Sequence, residues 1–264
     1  MRATLRDVAK LAGVSVKTVS NVLNGYPYLT DTTRAKVEQA IAELDYRPNI
    51  AARNLRTGRT GVIALALPNL SSPYFAEIAN LVVREAAARE LTVLVDATHG
   101  DPDRETLVAE GFRSQLLDGI ILQPWSIPVP FLRERVDKTP LVLLGERRVR
   151  TADSVAIDSR AVAYAAVDHL AKLGRRRIAA IGAPGRRGRG PIEPARRHEG
   201  YERALSDNGL PFDADLLVHP AGDHTPEVVA EAVDELLKRA PDLDAVFAFN
   251  DRVALGVIRS LMSK

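Results

Sequence analysis

Residues 5–25, LRDVAKLAGVSVKTVSNVLNG, decide how the chain is read. Leu5, Val8, Ala9, Leu11 and Ala12 recur at helical spacing before the turn Gly13-Val14-Ser15, and Val19, Val22 and Leu23 do so after it. Gly13 ends the first helix, because a residue without Cβ enters the left-handed region at little cost. Ser15 is the N-cap of the second, its hydroxyl accepting from an otherwise orphan N–H. Two short helices joined by a glycine-containing turn are the sequence form of a helix-turn-helix. The second helix carries Val16, Lys17, Ser20 and Asn21 on its outer, N-terminal face, where a recognition helix meets base edges. The alternative is a helical hairpin that only packs, and the polar, base-competent side chains on that face argue against it.

Outward from this stretch, Tyr26-Pro27-Tyr28 breaks the helix, and 30–44 reads as a third helix capped by Thr30 or Asp31. Val37, Ala40, Ile41 and Leu44 face the first two helices, which completes a small three-helix headpiece over 1–46. Residues 1–60 hold ten Lys/Arg and five Asp/Glu, a net +5, whereas the rest of the chain carries a net −3. A basic head on a mildly acidic body suits phosphate contact at one end. Arginine outnumbers lysine 29 to 7 throughout, however, so arginine count alone proves little. Tyr46-Arg47-Pro48-Asn49 marks a boundary, since the residue before a proline leaves the helical region. The segment 50–56 is a poor helix taken alone, barely two turns with few packing residues, and reads as a linker over 47–59.

The matches Thr4-Leu5, Asp7-Val8-Ala9, Ala12-Gly13-Val14-Ser15, Thr18-Val19-Ser20 and Val22-Leu23-Asn24 closely resemble the DNA-binding headpiece of the LacI/GalR family of bacterial transcription regulators. The resemblance implies that 47–59 is a hinge helix that folds on operator DNA and pairs with its twin across a dimer axis. Leu55 then matches the leucine that wedges into the minor groove, with Asn49, Ala52 and Arg53 beside it. Lys17 and Asn21 would read base edges and Val16 would pack on a thymine methyl. Thr4, Leu5, Ser15, Thr18, Ser20, Asn24, Tyr28 and Thr33 would hold phosphates.

From Thr60 the pattern alternates between strands and helices. Strands are expected at 61–67, 92–96, 119–122, 141–144, 177–181, 216–218 and 245–249. Helices are expected at 73–90, 102–117, 131–137, 160–173, 194–208 and 226–239 and from 251 onward, with a crossover near 154–158. Continuous apolar strands joined by helices indicate parallel sheets covered on both faces. The fold class is therefore a small all-α helix-turn-helix headpiece plus a two-lobed α/β domain over 60–264, similar to periplasmic sugar-binding proteins. Further family matches at Asp118-Gly119-Ile120-Ile121, His169-Leu170, Arg197, Gly200-Tyr201 and Asn250-Asp251 extend the resemblance along the chain. Family members continue beyond the position of Lys264, so the resemblance implies a C-terminally incomplete effector domain with apolar sheet edge and face left uncovered.

Ligands of open α/β sheets bind beyond the carboxyl ends of the strands. The loops there carry Asn69, Ser71, Ser72, Tyr74 and Phe75, hydroxyls and rings suited to a sugar, together with Gln123. Asp96 is placed to accept from a pair of sugar hydroxyls. Trp125, the only tryptophan, stacks on a pyranose face or else serves as core or dimer contact. Arg197 matches the family's effector-reaching arginine, while Asn250 and Asp251 match a polar pair at the cleft, although Asp251 can equally cap the last helix. The basic loop 185–190 reads as a solvated loop, with an anionic effector such as a sugar phosphate as the alternative.

The composition is that of an ordinary globular protein, 46% hydrophobic and 27% charged. With no cysteine, thiolate metal sites and cysteine nucleophiles are excluded. His99, His169, His198, His219 and His224 show no metal spacing, and neither a GxSxG elbow nor a phosphate-binding loop is present, which argues against an enzyme and against a cofactor. No apolar run reaches the roughly 18 residues of a membrane span. A pure solute-binding protein would need export, and no signal peptide precedes the first helix. The expectation is a cytoplasmic, nucleoid-associated homodimer that represses transcription from a pseudo-palindromic operator under control of a sugar-like effector. A truncated regulator that binds DNA without effector response, or a sugar- or nucleotide-processing enzyme, are its alternatives.

Overall fold

Thr4 starts helix α1 (Leu5–Ala12) and Gly13, left-handed at φ 66°, stops it. The computed structural model describes residues 3–46, 59–111, 116–183, 193–220 and 225–263, and the chain divides into two units, Met1–Thr60 and Gly61–Lys264. In the first, Ser15 caps α2 (Val16–Leu23) and Thr30 caps α3 (Asp31–Glu43). Val8, Val19 and Val37 are fully buried, one from each helix, and Ala9, Val22, Ala40 and Tyr46 close around them. Burying a valine side chain is worth about 1.5–3 kcal/mol, so three at one point hold three short helices that would be marginal alone. Leu11, expected in this core, is 46% exposed. Leu5, Val8, Ala9 and Ala12 already fill the i, i+3, i+4, i+7 stripe, and Leu11 falls beside it. The expected hinge at 50–56 lies outside the described residues.

The second unit holds two parallel sheets. The first has strand order β2-β1-β3-β4-β5, from β1 (Val62–Leu67), β2 (Thr92–Ala97), β3 (Gly119–Leu122), β4 (Leu141–Leu144) and β5 (Asp153–Val155). Leu65 aligns with Val95 on one side and Ile121 on the other. Helices α4 (Pro73–Ala87), α5 (Pro102–Ala109) and α6 (Val129–Arg133) connect these strands. The second sheet has order β7-β6-β8, from β6 (Ile178–Ile181), β7 (Leu217–Val218) and β8 (Ala245–Ala248). Around it lie α7 (Ser159–Lys172), α8 (Glu193–Asp207), α9 (Pro226–Arg239) and α10 (Asp251–Met262). Strand β6 is buried at every residue because it is central and flanked by core on both faces, Tyr201 and Phe249 on one, Val229 and Val253 on the other.

Several elements depart from the sequence expectation. Helix α4 stops at Ala87, and Glu90 turns left-handed at φ 56° to feed β2. Helix α5 ends at Ala109, and 112–115, within the span expected to be helical, lie outside the described residues. The helix expected at 131–137 is instead α6, earlier and shorter, because Pro130 favours the first turn. Beyond it Arg135 leaves helical geometry to donate to the Ala109 carbonyl, the Asp137 carboxylate and the Thr139 carbonyl. The crossover near 154–158 contains a strand, β5, paired with β4 through Leu143 and Ser154. On edge strand β2, Leu94 and Val95 are exposed, as are Leu81 and Val83 on α4 and Leu255 and Ile258 on α10.

Candidate functional sites

In the first unit the candidate surface is built on α2. The Ser15 hydroxyl accepts from the Thr18 N–H at 3.0 Å and shares a bond of 2.8 Å with the Thr18 hydroxyl. This cap fixes the N-terminus of α2 and leaves Val16 (44% exposed) and Lys17 on the solvent side. Lys17 and Asn21 make no side-chain hydrogen bond among the described residues, whereas Asn24 donates to the Ser20 carbonyl at 2.7 Å and to its hydroxyl at 3.3 Å. Tyr28 is 85% exposed beside Tyr26, with ring centroids 5.6 Å apart. The Thr4 hydroxyl donates to Asp7 at 2.7 Å, holding that carboxyl below its usual range, so Thr4 acts as a cap in this structure. Thr33 receives the Thr30 cap on its N–H. Arg34, which the sequence did not single out, donates to the Tyr26 carbonyl at 3.3 Å and ties α3 to the turn after α2. Asn49, Ala52, Arg53 and Leu55 lie outside the described residues.

In the second unit the loops after the strands converge. Asn69 closes the loop after β1 by accepting from the Ser72 N–H (3.0 Å) and the Ser71 hydroxyl (3.3 Å). Tyr74 and Phe75 follow in the first turn of α4, their rings 5.2 Å apart, and Phe75 lies 6.3 Å from Trp125 after β3. Burial pushes the Tyr74 phenol above its ordinary pKa; Glu193 and Asp251 add to the rise and Arg197 opposes it. Tyr74 on the first lobe is therefore within electrostatic reach of the charged groups that begin α8 and α10 on the second. Arg197 donates to the Phe249 carbonyl at 2.6 Å, and Asn250 caps α10 by accepting from the Val253 N–H at 3.0 Å. Asp251 is exposed in the first turn of α10.

Asp96 has a partner that the sequence did not single out. Its carboxylate accepts from Arg104 Nε (3.1 Å) and Nη2 (2.8 Å), so a sugar hydroxyl there would share it with that guanidinium. Gln123 is buried, and a Cβ added to Gly145 would strike both its Nε2 and the Glu193 carboxylate, which therefore meet over that glycine. Glu193 also accepts from the Glu146 N–H at 3.2 Å, and Glu146 accepts from the Ser159 N–H (2.7 Å) and pairs with Arg196 (2.8 Å). Glu193, Glu146, Arg147 and Glu105 were not anticipated. Glu105 had a legible signal: it sits three and four residues before Val108 and Ala109, on the apolar stripe of α5. The basic loop 185–190 lies outside the described residues. Among the described residues no group of His, Asp and Glu is placed to hold a metal ion, and no helix is long and apolar enough to cross a membrane.

Residues 4–49 match the model of bacterial regulatory proteins of the lacI family, and residues 60–264 match that of periplasmic binding proteins and the sugar-binding domain of the LacI family. The chain belongs to the LacI family. It is similar to catabolite control protein A of Priestia megaterium, at 31% identity over all of this chain and 79% of that protein. The transcriptional regulator CelR in its cellobiose complex is 31% identical with a TM-score of 0.64, covering 99% of this chain and 78% of that one. The lac repressor dimer bound to operator and the anti-inducer ONPF shares the fold at a TM-score of 0.82, with 23% identity, covering 100% of this chain and 78% of that one. This LacI-family chain is a DNA-binding transcriptional regulator with a helix-turn-helix and a periplasmic-binding-protein-like domain, from a family of regulators that are not enzymes.

Proposed function

We propose that the chain is a cytoplasmic homodimeric repressor whose hold on a pseudo-palindromic operator is released by a sugar or sugar derivative. The observation that carries this reading is the capped N-terminus of α2, which leaves Val16 and Lys17 exposed, with Lys17 and the half-buried Asn21 making no side-chain hydrogen bond among the described residues. Lys17 and Asn21 read base edges and Val16 packs on a thymine methyl. Thr4, Leu5, Ser15, Thr18, Ser20, Asn24, Tyr28 and Thr33 serve the phosphates through hydroxyls, amides and backbone N–H groups. Residues 1–46 form the DNA-binding domain, 47–59 the hinge with Asn49, Ala52, Arg53 and Leu55, and 60–264 the effector and dimerisation domain.

The effector lies between Ser71, Tyr74, Phe75, Gln123 and Trp125 on one lobe and Arg197, Asn250 and Asp251 on the other, with Asp96 at the rim. Rings beside hydroxyl, amide and carboxylate groups suit a saccharide, and the cellobiose complex of a 31% identical regulator supports that class. The operator-bound dimer of the lac repressor, which shares the fold, supports the two-fold arrangement. Effector and operator affect each other through a coupling free energy, so each changes the affinity for the other by the same factor. The test is a titration with mono- and disaccharides, cellobiose and ribose among them, following Trp125 fluorescence and the release of a bound duplex. A saccharide that shifts the emission and weakens duplex binding supports the reading. A saccharide that shifts the emission without touching duplex affinity leaves a DNA binder without effector response.

A further inference from the structure

Glu105 is fully buried, and among the described residues its carboxylate is met by backbone N–H groups and not by a cation. Its Oε1 accepts from the Trp125 N–H at 2.9 Å, and its Oε2 accepts from the Ser126 N–H at 2.8 Å and the Ile127 N–H at 2.7 Å. Three consecutive backbone donors thus converge on one carboxylate sent from the fourth position of α5. The opposite edge of the same segment is held as well. Arg147, in the loop after β4, donates to the Trp125 carbonyl at 3.2 Å and to the Ile127 carbonyl. Residues 125–127 follow the last residues of β3 and form no strand or helix of their own. Two side chains from other parts of the chain supply the partners that regular structure would give.

The segment so held bears the only tryptophan. Its indole lies against the backbone of Gly100, where a Cβ would sit 3.6 Å from Cγ, and leans on Phe75. We infer that Glu105 and Arg147 form a two-sided clamp that aims Trp125 at the effector cleft, which makes both of them positioning residues for ligand recognition. The inference rests on the proposed effector reading for what Trp125 faces, but not for the clamp itself. The geometry explains why an acid is tolerated at a fully buried place on the stripe of α5: hydrogen bonds to a carboxylate are stronger than those to a neutral acceptor. An apolar residue there would leave three N–H groups without partners.

The sole tryptophan reports on the clamp directly in the ligand-free 264-residue chain. Glu105→Gln keeps the shape but turns one acceptor oxygen into a donor, and Arg147→Met keeps most of the length but removes the donors. Both variants are expected to shift Trp125 emission to longer wavelength and raise its quenching by acrylamide at temperatures well below unfolding, with far-ultraviolet circular dichroism unchanged. Arg147→Lys, which keeps a donor, restores part of the signal. A parental emission and quenching profile in both variants would overturn the clamp, even if their unfolding temperatures fall, because a merely structural role moves stability alone. Titration with cellobiose and ribose then separates the two ideas: altered Trp125 in the variants with no saccharide response in the parent keeps the clamp and rejects the effector reading.

Discussion

Gly200 sits where α7 and α8 cross, and a side chain there has no room. A Cβ would lie 3.0 Å from both the Ala163 Cβ and the Tyr164 N, and would run into the Arg160 carbonyl. Backbone cannot yield as a flexible side-chain tip can, so Gly200→Ala should lower stability by about 1–3 kcal/mol or more, read as a drop in the urea midpoint. The next residue ties chemistry to pH. Tyr201 is fully buried, donates to the Ile178 carbonyl at 2.8 Å and lies parallel to Phe247. Burial pushes its phenol up to about 12, with Asp213 and Glu202 adding to the rise. The fold holds the neutral form while the unfolded chain ionises near its ordinary 10, so this contribution is intact below pH 10. It is lost as pH rises toward 12, by about 3 kcal/mol in all at 1.36 kcal/mol per unit. Unfolding followed from pH 9 to 12 should show that fall, and Tyr201→Phe should remove this part of it. An equal fall in both chains would contradict the assignment.

At the scale of the element, helix α1 depends on a reciprocal cap: the Asp7 N–H reaches the Thr4 hydroxyl at 3.4 Å while the Thr4 N–H donates to Asp7 at 2.8 Å. Thr4→Ala should cost the headpiece about 1 kcal/mol, measured by its thermal unfolding. Asp7 is held below its ordinary 3.8, first by the Thr4 hydroxyl and then by the Thr4 backbone, so its help is present above that value and lost as pH falls through the lower one. The turn and caps of the headpiece were legible because Gly13, Ser15 and Thr30 are local signals acting over three or four residues. The strands of the body were legible from unbroken apolar runs. What escaped was set by distant partners: β5 is a strand only because β4 offers it an edge, and α6 is short because Arg135 bonds elsewhere. The candidate cleft divides the same way. Tyr74, Phe75 and Trp125 were visible as residue types, but Glu193 over Gly145 and Arg104 on Asp96 join residues distant in sequence or across a turn.

The whole molecule joins a helix-turn-helix headpiece to a periplasmic-binding-protein-like body. The headpiece alone would give salt-sensitive attraction to any duplex, since phosphates carry no sequence information. In the proposed reading, specificity comes from Lys17 and Asn21 at the base edges, where a good contact discriminates by about 1–3 kcal/mol, and from a second copy that fixes the half-site spacing. The most direct measurement is selection of bound duplexes from a random pool by the 264-residue chain, repeated with the Lys17→Ala, Asn21→Ala double variant. The account predicts that the parent enriches one pseudo-palindrome, and that the variant keeps salt-dependent binding but loses the enrichment. Sequence-indifferent binding by the parent, or the same palindrome enriched by the variant, would contradict it.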